Sequence, residues 1–494
     1  MPPFRHSRQP SVTAALTARR LGTWPVFVLA VSAMTPLTVV AGALPLGYGQ
    51  VRETGIPVAY VAVAAMLGIF AVGLSAMARH LPNSGAFYAY VTAGIGRPAG
   101  VATAFVALLA YNLMQIGLYG AFGVTAAAAM DVFGVHAYWG AWVLLGWLAV
   151  AGLGLLRIRM NARLLAVLVC AEVVVVVWFD AVMIAHPADG VVSAATLDPA
   201  LLASPGGVAL LVGAVAGFVG FESPLVYAAQ TKDPRRTVAR AVALTVLLAC
   251  VLYGGSAWAM SVSAGPDRIV AVAADHPTDL FFHLPAPFVG GAVLDVAAVL
   301  FMTSLFAAML AFHHTVARYT LTLAREGVLP RFLARTRDDE VPVAGSMAQS
   351  ALALVVLIGY ASAGLDPTTD LFFAGTVAGG LGVLLLMTVA SVAVLRFFAR
   401  WPSGESVWRR LVAPAIAVAF LLPVSVATVA FFGDLLGSTD PVRVWAAPVA
   451  YLTVGVAGAV WGTVLRFRHR TVRSVDDDDG RTAVPGPAAR AGHR

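Results

Sequence analysis

Apolar runs recur along almost the whole chain, separated by short stretches rich in Arg, Gly and Pro. A helix of about 20 apolar residues spans the roughly 30 Å hydrocarbon core of a bilayer. On that spacing the pattern predicts twelve membrane helices, at 24–47, 56–79, 99–130, 137–156, 162–185, 205–229, 236–262, 287–318, 341–364, 368–396, 410–434 and 443–466. Residues 81–95 are expected to lie along the cytoplasmic surface. Past Arg466 the hydrophobicity falls away, an acidic run occupies Asp476–Asp479, and the remainder is rich in Pro, Ala and Gly. That composition cannot bury a core, so 467–494 is expected to be a disordered tail.

Composition agrees with the pattern. Of the 494 residues 60% are hydrophobic and 12% charged, whereas soluble domains carry about 25% charged residues. The fold class expected is therefore an all-α membrane protein. The apolar stretch Trp24–Leu46 is longer than a signal-peptide core of about 7–15 residues, so it reads as the first helix, not as a cleaved leader. A net charge of +7 does not imply a nucleic-acid partner, because the basic residues sit in clusters between apolar spans. Cys170 and Cys250 each fall inside an apolar run, which fits packing better than a disulfide. With the amino terminus inside, one set of alternate loops holds only Arg52, Arg268 and Arg443 of the 32 Lys and Arg residues. This asymmetry predicts cytoplasmic termini and an even number of helices in the plasma membrane.

Two spans carry interruptions. The first contains Thr35-Pro36-Leu37-Thr38, where proline removes an amide and clashes with the preceding turn. The sixth contains Gly217-Phe218-Val219-Gly220-Phe221-Glu222-Ser223-Pro224. Kinks and glycine packing positions are common in membrane helices, but paired breaks at corresponding positions point to a transporter site. Half-helix amino termini would receive a carboxylate and unwound carbonyls an ammonium group, so together the breaks match the head of an α-amino acid.

At these residues the chain resembles the amino acid–polyamine–organocation permeases. The likeness rests on Pro82-Asn83-Ser84-Gly85-Ala86-Phe87-Tyr88-Ala89-Tyr90 after the second helix and on the Gly217–Glu222 stretch followed by Lys232-Asp233-Pro234-Arg235-Arg236-Thr237. A third signature is Ala317-Arg318-Tyr319 followed by Ala324-Arg325-Glu326-Gly327-Val328-Leu329-Pro330. It covers about residues 20 to 350. The resemblance implies a leucine-transporter-type fold, a five-plus-five inverted repeat with two further helices. The expected division is 1–23, a cytoplasmic segment; 24–185, the first repeat; 205–396, the second; 410–466, the added pair; and 467–494, the tail. It implies secondary transport of an amino acid by alternating access, with proton coupling and exchange both open. The family's Gly-Ser-Gly motif aligns with Thr38-Val39-Val40 here, so Pro36 drives the break.

The substrate site is accordingly expected at Thr35, Thr38, Val39, Gly217, Phe218, Gly220 and Phe221, with Tyr111 and Gln115 on the wall formed by the third helix. Phe218 is the expected gate and Glu222 a site-lining or gate-coupled acid, although structural roles compete for both. Tyr111, Gln115 and Tyr119 recur every four residues and so share a face, which interhelical hydrogen bonding would also explain. Glu172 falls near mid-membrane, where proton-coupled members of the family carry a lysine. A carboxyl there would serve a coupling proton or a cation such as sodium, or be a satisfied structural group. Thr303 and Ser304 favour bonds to their own backbone. His313-His314 resembles a metal pair, but neighbours on a helix point about 100° apart and no third ligand is evident, so neither a metal nor a cofactor is expected. A polyamine or cationic amino acid antiporter is the alternative within transport; a neutral amino acid is favoured because Glu222 and Glu172 are the only plausible pocket acids. A membrane enzyme such as an acyltransferase lacks an evident nucleophile and base. Partners expected are the substrate and membrane lipid; the oligomeric state stays open.

Overall fold

The computed structural model describes residues 22–81, 86–156, 162–203, 205–226, 231, 234–337, 341–401 and 404–479. Among them ten helices are long and apolar enough to cross a membrane, and Trp139–Gly154 and Gly206–Gly217 are shorter apolar helices. We label the twelve α1 (Thr23–Val51), α2 (Ile56–Ala78), α3 (Arg97–Asp131), α4 (Trp139–Gly154), α5 (Ala162–Ala185) and α6 (Pro205–Gly217, resuming at Ser223–Val226). The remainder are α7 (Arg236–Ala264), α8 (Gly291–Arg325), α9 (Val343–Ser362), α10 (Pro367–Arg400), α11 (Trp408–Ala430) and α12 (Pro441–Asp479). Helices suit this setting because each satisfies its own backbone where water is excluded. The face on which α1 begins is called the near side, and the opposite face the far side.

α12 packs along α3, and α11 along α10 and α2. The pattern of exposure is that of a protein in lipid. Val174, Val177 and Trp178 of α5, Val355 and Ile358 of α9, and Leu452, Val456 and Val460 of α12 all face outward. α10 is the most enclosed span, 83% buried over its most apolar stretch. It lies close against α3: a Cβ on Gly117 would meet the Leu371 carbonyl oxygen at 3.0 Å, and one on Gly375 the Leu113 carbonyl oxygen at 3.0 Å. Small residues permit such backbone approach between membrane helices.

The structure departs from the expected spans in three places. α8 runs on through Arg325, past the expected end at 318. Its added turns bury Tyr319, Leu323 and Ala324, so packing extends the helix. The segment expected to lie on the surface contains the helix Ala86–Gly94, whose Phe87, Tyr88, Tyr90 and Val91 are buried. Its Gly94 touches the backbone of Ala393 in α10. Residues 82–85 of the first family signature and Lys232-Asp233 of the second lie outside the described residues. α12 continues through Asp479 instead of ending near Arg466, since adding residues to an existing helix is far easier than nucleating one; 480–494 lie outside the described residues. Cys170 is exposed, so core packing does not explain it; both cysteines are free thiols.

Two short helices outside the spans cap the far side. The short helices Ile269–Asp275 and Leu280–His283 follow α7, and their Ile269, Ala273, Leu280 and Phe281 are fully buried. The Ala273 carbonyl oxygen lies 3.2 Å from where a Cβ on Gly49 of α1 would stand. On the near side Arg79, which ends α2, holds Glu405 before α11 through two hydrogen bonds of 2.9 and 2.7 Å.

Candidate functional site

Two interrupted helices meet at the centre of the bundle. In α1 the first half ends at Met34, Thr35 adopts a left-handed conformation (φ 43°, ψ 73°), and Pro36 starts the second half. Proline suits a first helical position, where its missing amide costs no bond. Wide π-type turns follow at Thr38–Ala43, and α10 has a matching stretch at Pro367–Phe373. In α6 the first half stops at Gly217, residues 218–222 turn, and the helix resumes at Ser223. Gly220 has φ 109°, and a Cβ there would lie 3.1 Å from the Ala33 carbonyl oxygen and 3.2 Å from Met34 Cγ. Glycine is thus required both for the backbone conformation and for contact between the two breaks.

A carboxylate holds each break. Glu172 of α5, 5% exposed, accepts the Leu37 amide at 3.2 Å and the Ser304 hydroxyl at 3.0 Å on the same oxygen, Oε2. The Thr38 hydroxyl in turn donates to Ser304 Oγ at 3.1 Å. Negative charge at a helix amino terminus is favoured by the unpaired amides and the dipole, so Glu172 caps the second half of α1. Glu222 closes the other break locally: its Oε2 accepts the Gly220 amide at 3.0 Å and its Oε1 the Tyr111 hydroxyl at 3.4 Å. Tyr253 of α7 reaches back to the Met34 carbonyl at 3.5 Å.

Beside the breaks lies a cavity of ≈ 40 Å³. A water needs roughly 10–15 Å³ by this measure, so the space holds about three waters. Its polar side chains are Thr35, Thr38 and Thr376; Val39, Met114, Leu118, Val219, Phe312 and Phe372 supply most of the apolar wall. No acidic or basic side chain lines it. The first halves of α1 and α6 end here, at Ala33–Met34 and Ala216–Gly217, so their carbonyl ends lie at the cavity, while at the start of the second half of α1 the Leu37 amide is held by Glu172 and the Thr38 amide by the Thr35 carbonyl. The arrangement offers carbonyl acceptors for an ammonium group and threonine hydroxyls beside an apolar space.

Of the residues expected from sequence, Thr35, Thr38, Val39 and Gly217 line this cavity. Phe218 does not. It is fully buried behind the cavity, with its ring 5.8 Å from both Tyr60 and Tyr253. Phe221 likewise points away and packs on Phe70 at 6.2 Å. The turn after Gly217 reverses the helical facing, so Val219 reaches the cavity instead. Gly220 contributes backbone between the breaks. On α3 the wall is Met114 and Leu118, one helical position off the polar stripe. Tyr111 serves Glu222, while Gln115 donates to Tyr119 at 3.2 Å and accepts from Gln349 of α9 at 2.9 Å. Interhelical bonding therefore accounts for Gln115. Thr303 bonds the Leu300 carbonyl, whereas Ser304 belongs to the Glu172 chain. His313 pairs with Ser346 at 2.7 Å.

Sequence reading missed Thr376, Phe312, Phe372 and Asp180. Thr376 and Asp180 were detectable as polar residues inside strongly apolar runs. Asp180, two turns beyond Glu172 on α5, accepts the Ser256 hydroxyl at 2.7 Å, and its Oδ1 has no hydrogen-bond partner. Phe312 and Phe372 carry no local signal, since aromatics are frequent throughout the chain.

Comparison with known proteins agrees with this geometry. The model of a family described as amino acid permease matches residues 21–457. The chain belongs to the amino acid permease family. An uncharacterized transporter of Mycobacterium tuberculosis is 26% identical over 474 residues, 93% of this chain and 94% of the relative. The branched-chain amino acid permease BcaP of Bacillus subtilis is 24% identical over 345 residues, 64% of this chain and 69% of that one. A manganese transporter of Eremococcus coleocola has the same fold, with a TM-score of 0.53 at 17% identity, covering 93% of this chain and 96% of that structure. This permease is a secondary transporter of the amino acid–polyamine–organocation superfamily and not an enzyme.

Proposed function

We propose that this permease moves a neutral amino acid with an apolar side chain across the plasma membrane by alternating access, coupled to a proton at Glu172. The observation that carries the substrate class is the cavity wall: helix ends and threonine hydroxyls at one side, Val, Met, Leu and Phe at the other, and no charged side chain. A polyamine or arginine-like substrate would leave its distal charge unpaired in that wall, which is costly in a low dielectric. The branched-chain permease among its relatives points the same way.

The coupling reading rests on the chain of hydrogen bonds from the cavity through Thr38 and Ser304 to Glu172. An ionised Glu172 occupies the same helix end that a substrate carboxylate would seek. Two anions at one dipole oppose each other, so binding of the amino acid favours protonation of Glu172, and the proton and substrate load together. At ≈ 40 Å³ the cavity offers less volume than an amino acid needs, so loading requires the surrounding helices to part. The asymmetry of Arg residues supports a cytoplasmic near side.

The test is a thermal-shift screen of the purified protein followed by uptake into proteoliposomes. Leucine, isoleucine or valine should stabilise the protein and be taken up, faster with an inward proton gradient. Stabilisation by arginine or putrescine and not by these three would overturn the neutral-substrate reading.

A further inference from the structure

The far-side cap carries a cluster that transport does not use. His276 ends the helix Ile269–Asp275, Asp279 begins the helix Leu280–His283, and His283 ends it. One ligand atom from each of the three lies within 4.8 Å of the others. We propose that His276, Asp279 and His283 form a binding site for a divalent transition metal of the zinc class, which staples the two cap helices together.

Geometry makes the case. His276 Nδ1 stands 3.3 Å from both carboxylate oxygens of Asp279, and the two imidazoles stack at 3.6 Å with planes 19° apart. Ligand atoms around a tetrahedral zinc, at about 2.0–2.2 Å from the ion, sit roughly 3.3 Å apart, so small side-chain rotations close the site. The backbone fixes the three Cα positions: the Leu280 amide donates to the His276 carbonyl at 3.2 Å and the His283 amide to the Asp279 carbonyl at 2.8 Å. The segment between them is anchored by Phe281 against Phe179 at 5.4 Å and Phe282 against Phe301 at 5.8 Å. All three side chains remain accessible, and His283 also lines an open depression of ≈ 420 Å³ through which an ion and a fourth, water ligand can enter. Two imidazoles and one carboxylate select borderline metals over calcium or magnesium, which prefer oxygen donors alone. The spacing i, i+3, i+7 was legible in the sequence, but the chain between His276 and His283 reads as an ordinary loop.

The experiment uses the purified full-length protein without a histidine tag, titrated with zinc chloride by calorimetry and thermal shift. One equivalent should bind with micromolar affinity and raise the melting temperature, while calcium and magnesium chloride do not. His283→Ala and His276→Ala should each weaken binding at least tenfold, and because His283 is exposed and His276 half-buried, their metal-free melting temperatures should stay close to the wild type. Failure of the wild type to bind zinc stoichiometrically below 100 µM (~) would overturn the site. So would equal affinity in the wild type and in the His276→Ala/His283→Ala double variant. Neither result bears on which amino acid is carried.

Discussion

Leu37 donates its amide to Glu172 at 3.2 Å across 135 positions of sequence, so a side chain of α5 completes the interrupted α1. The bond unites structure and transport, because the capped helix end is the one that faces the cavity. Replacing Glu172 by Ala leaves the Leu37 amide and the Ser304 hydroxyl unpaired in a water-poor site, at about 1–3 kcal/mol for each such group. Glu172→Gln keeps most of the packing and cannot ionise. Uptake by wild-type proteoliposomes should vary steeply with pH, and the Gln variant should flatten that profile. An unchanged profile would exclude Glu172 as the coupling group.

Gly220→Ala tests the contact between the two breaks. The new Cβ must accept φ 109° and stand 3.1 Å from the Ala33 carbonyl oxygen. Strain of this kind costs about 1–3 kcal/mol. The variant should show a lower melting temperature and uptake reduced at least tenfold, whereas Gly213→Ala, with open space around the added carbon, should behave as wild type.

Cavity residues and the residues behind them should separate cleanly. Thr376→Leu inserts bulk into ≈ 40 Å³ and should raise KM several-fold for the larger substrates before the smaller ones. Phe218→Leu removes part of the Tyr60–Phe218–Tyr253 cluster. It should lower stability by about 1 kcal/mol or more while leaving the order of preferred amino acids unchanged. A change of substrate order in Phe218→Leu would restore it as a gate.

The near-side ion pair makes a pH-dependent contribution to stability. Partial burial raises the Glu405 carboxyl, but hydrogen bonds and charge from Arg79, with Arg409 adding to them, outweigh it and hold the group below its ordinary range. A group depressed on folding stabilises above its unfolded pKa, and that contribution disappears as pH falls through the folded value. Glu405→Gln should therefore melt lower than wild type at pH 7, by about 1 kcal/mol or less for a partly solvated pair. The difference should close as the pH falls below the ordinary glutamate range and through the depressed folded value.

How much of this was legible depends on range. The twelve apolar spans, the two interruptions and the family signatures were present in the sequence, because hydrophobic length, proline and glycine act locally. Thr35, Thr38, Val39 and Gly217 line the cavity, and sequence pointed to them because they sit in or beside the breaks. Phe218 and Gln115 lie off it, because membership of a cavity depends on which way a broken helix faces once it resumes. No periodicity survives the turn at 218–222, so Val219 replaced Phe218.

Sequence alone therefore determined the class, the number of spans and the location of the breaks, each a consequence of how a chain pays its backbone hydrogen bonds in lipid. Only tertiary structure decided that Glu172 caps α1, that Thr376 and Phe372 close the cavity, and that His276, Asp279 and His283 converge. Those relationships join positions far apart in the chain or across an irregular turn, where the geometry is set by packing between helices and not by neighbours in sequence.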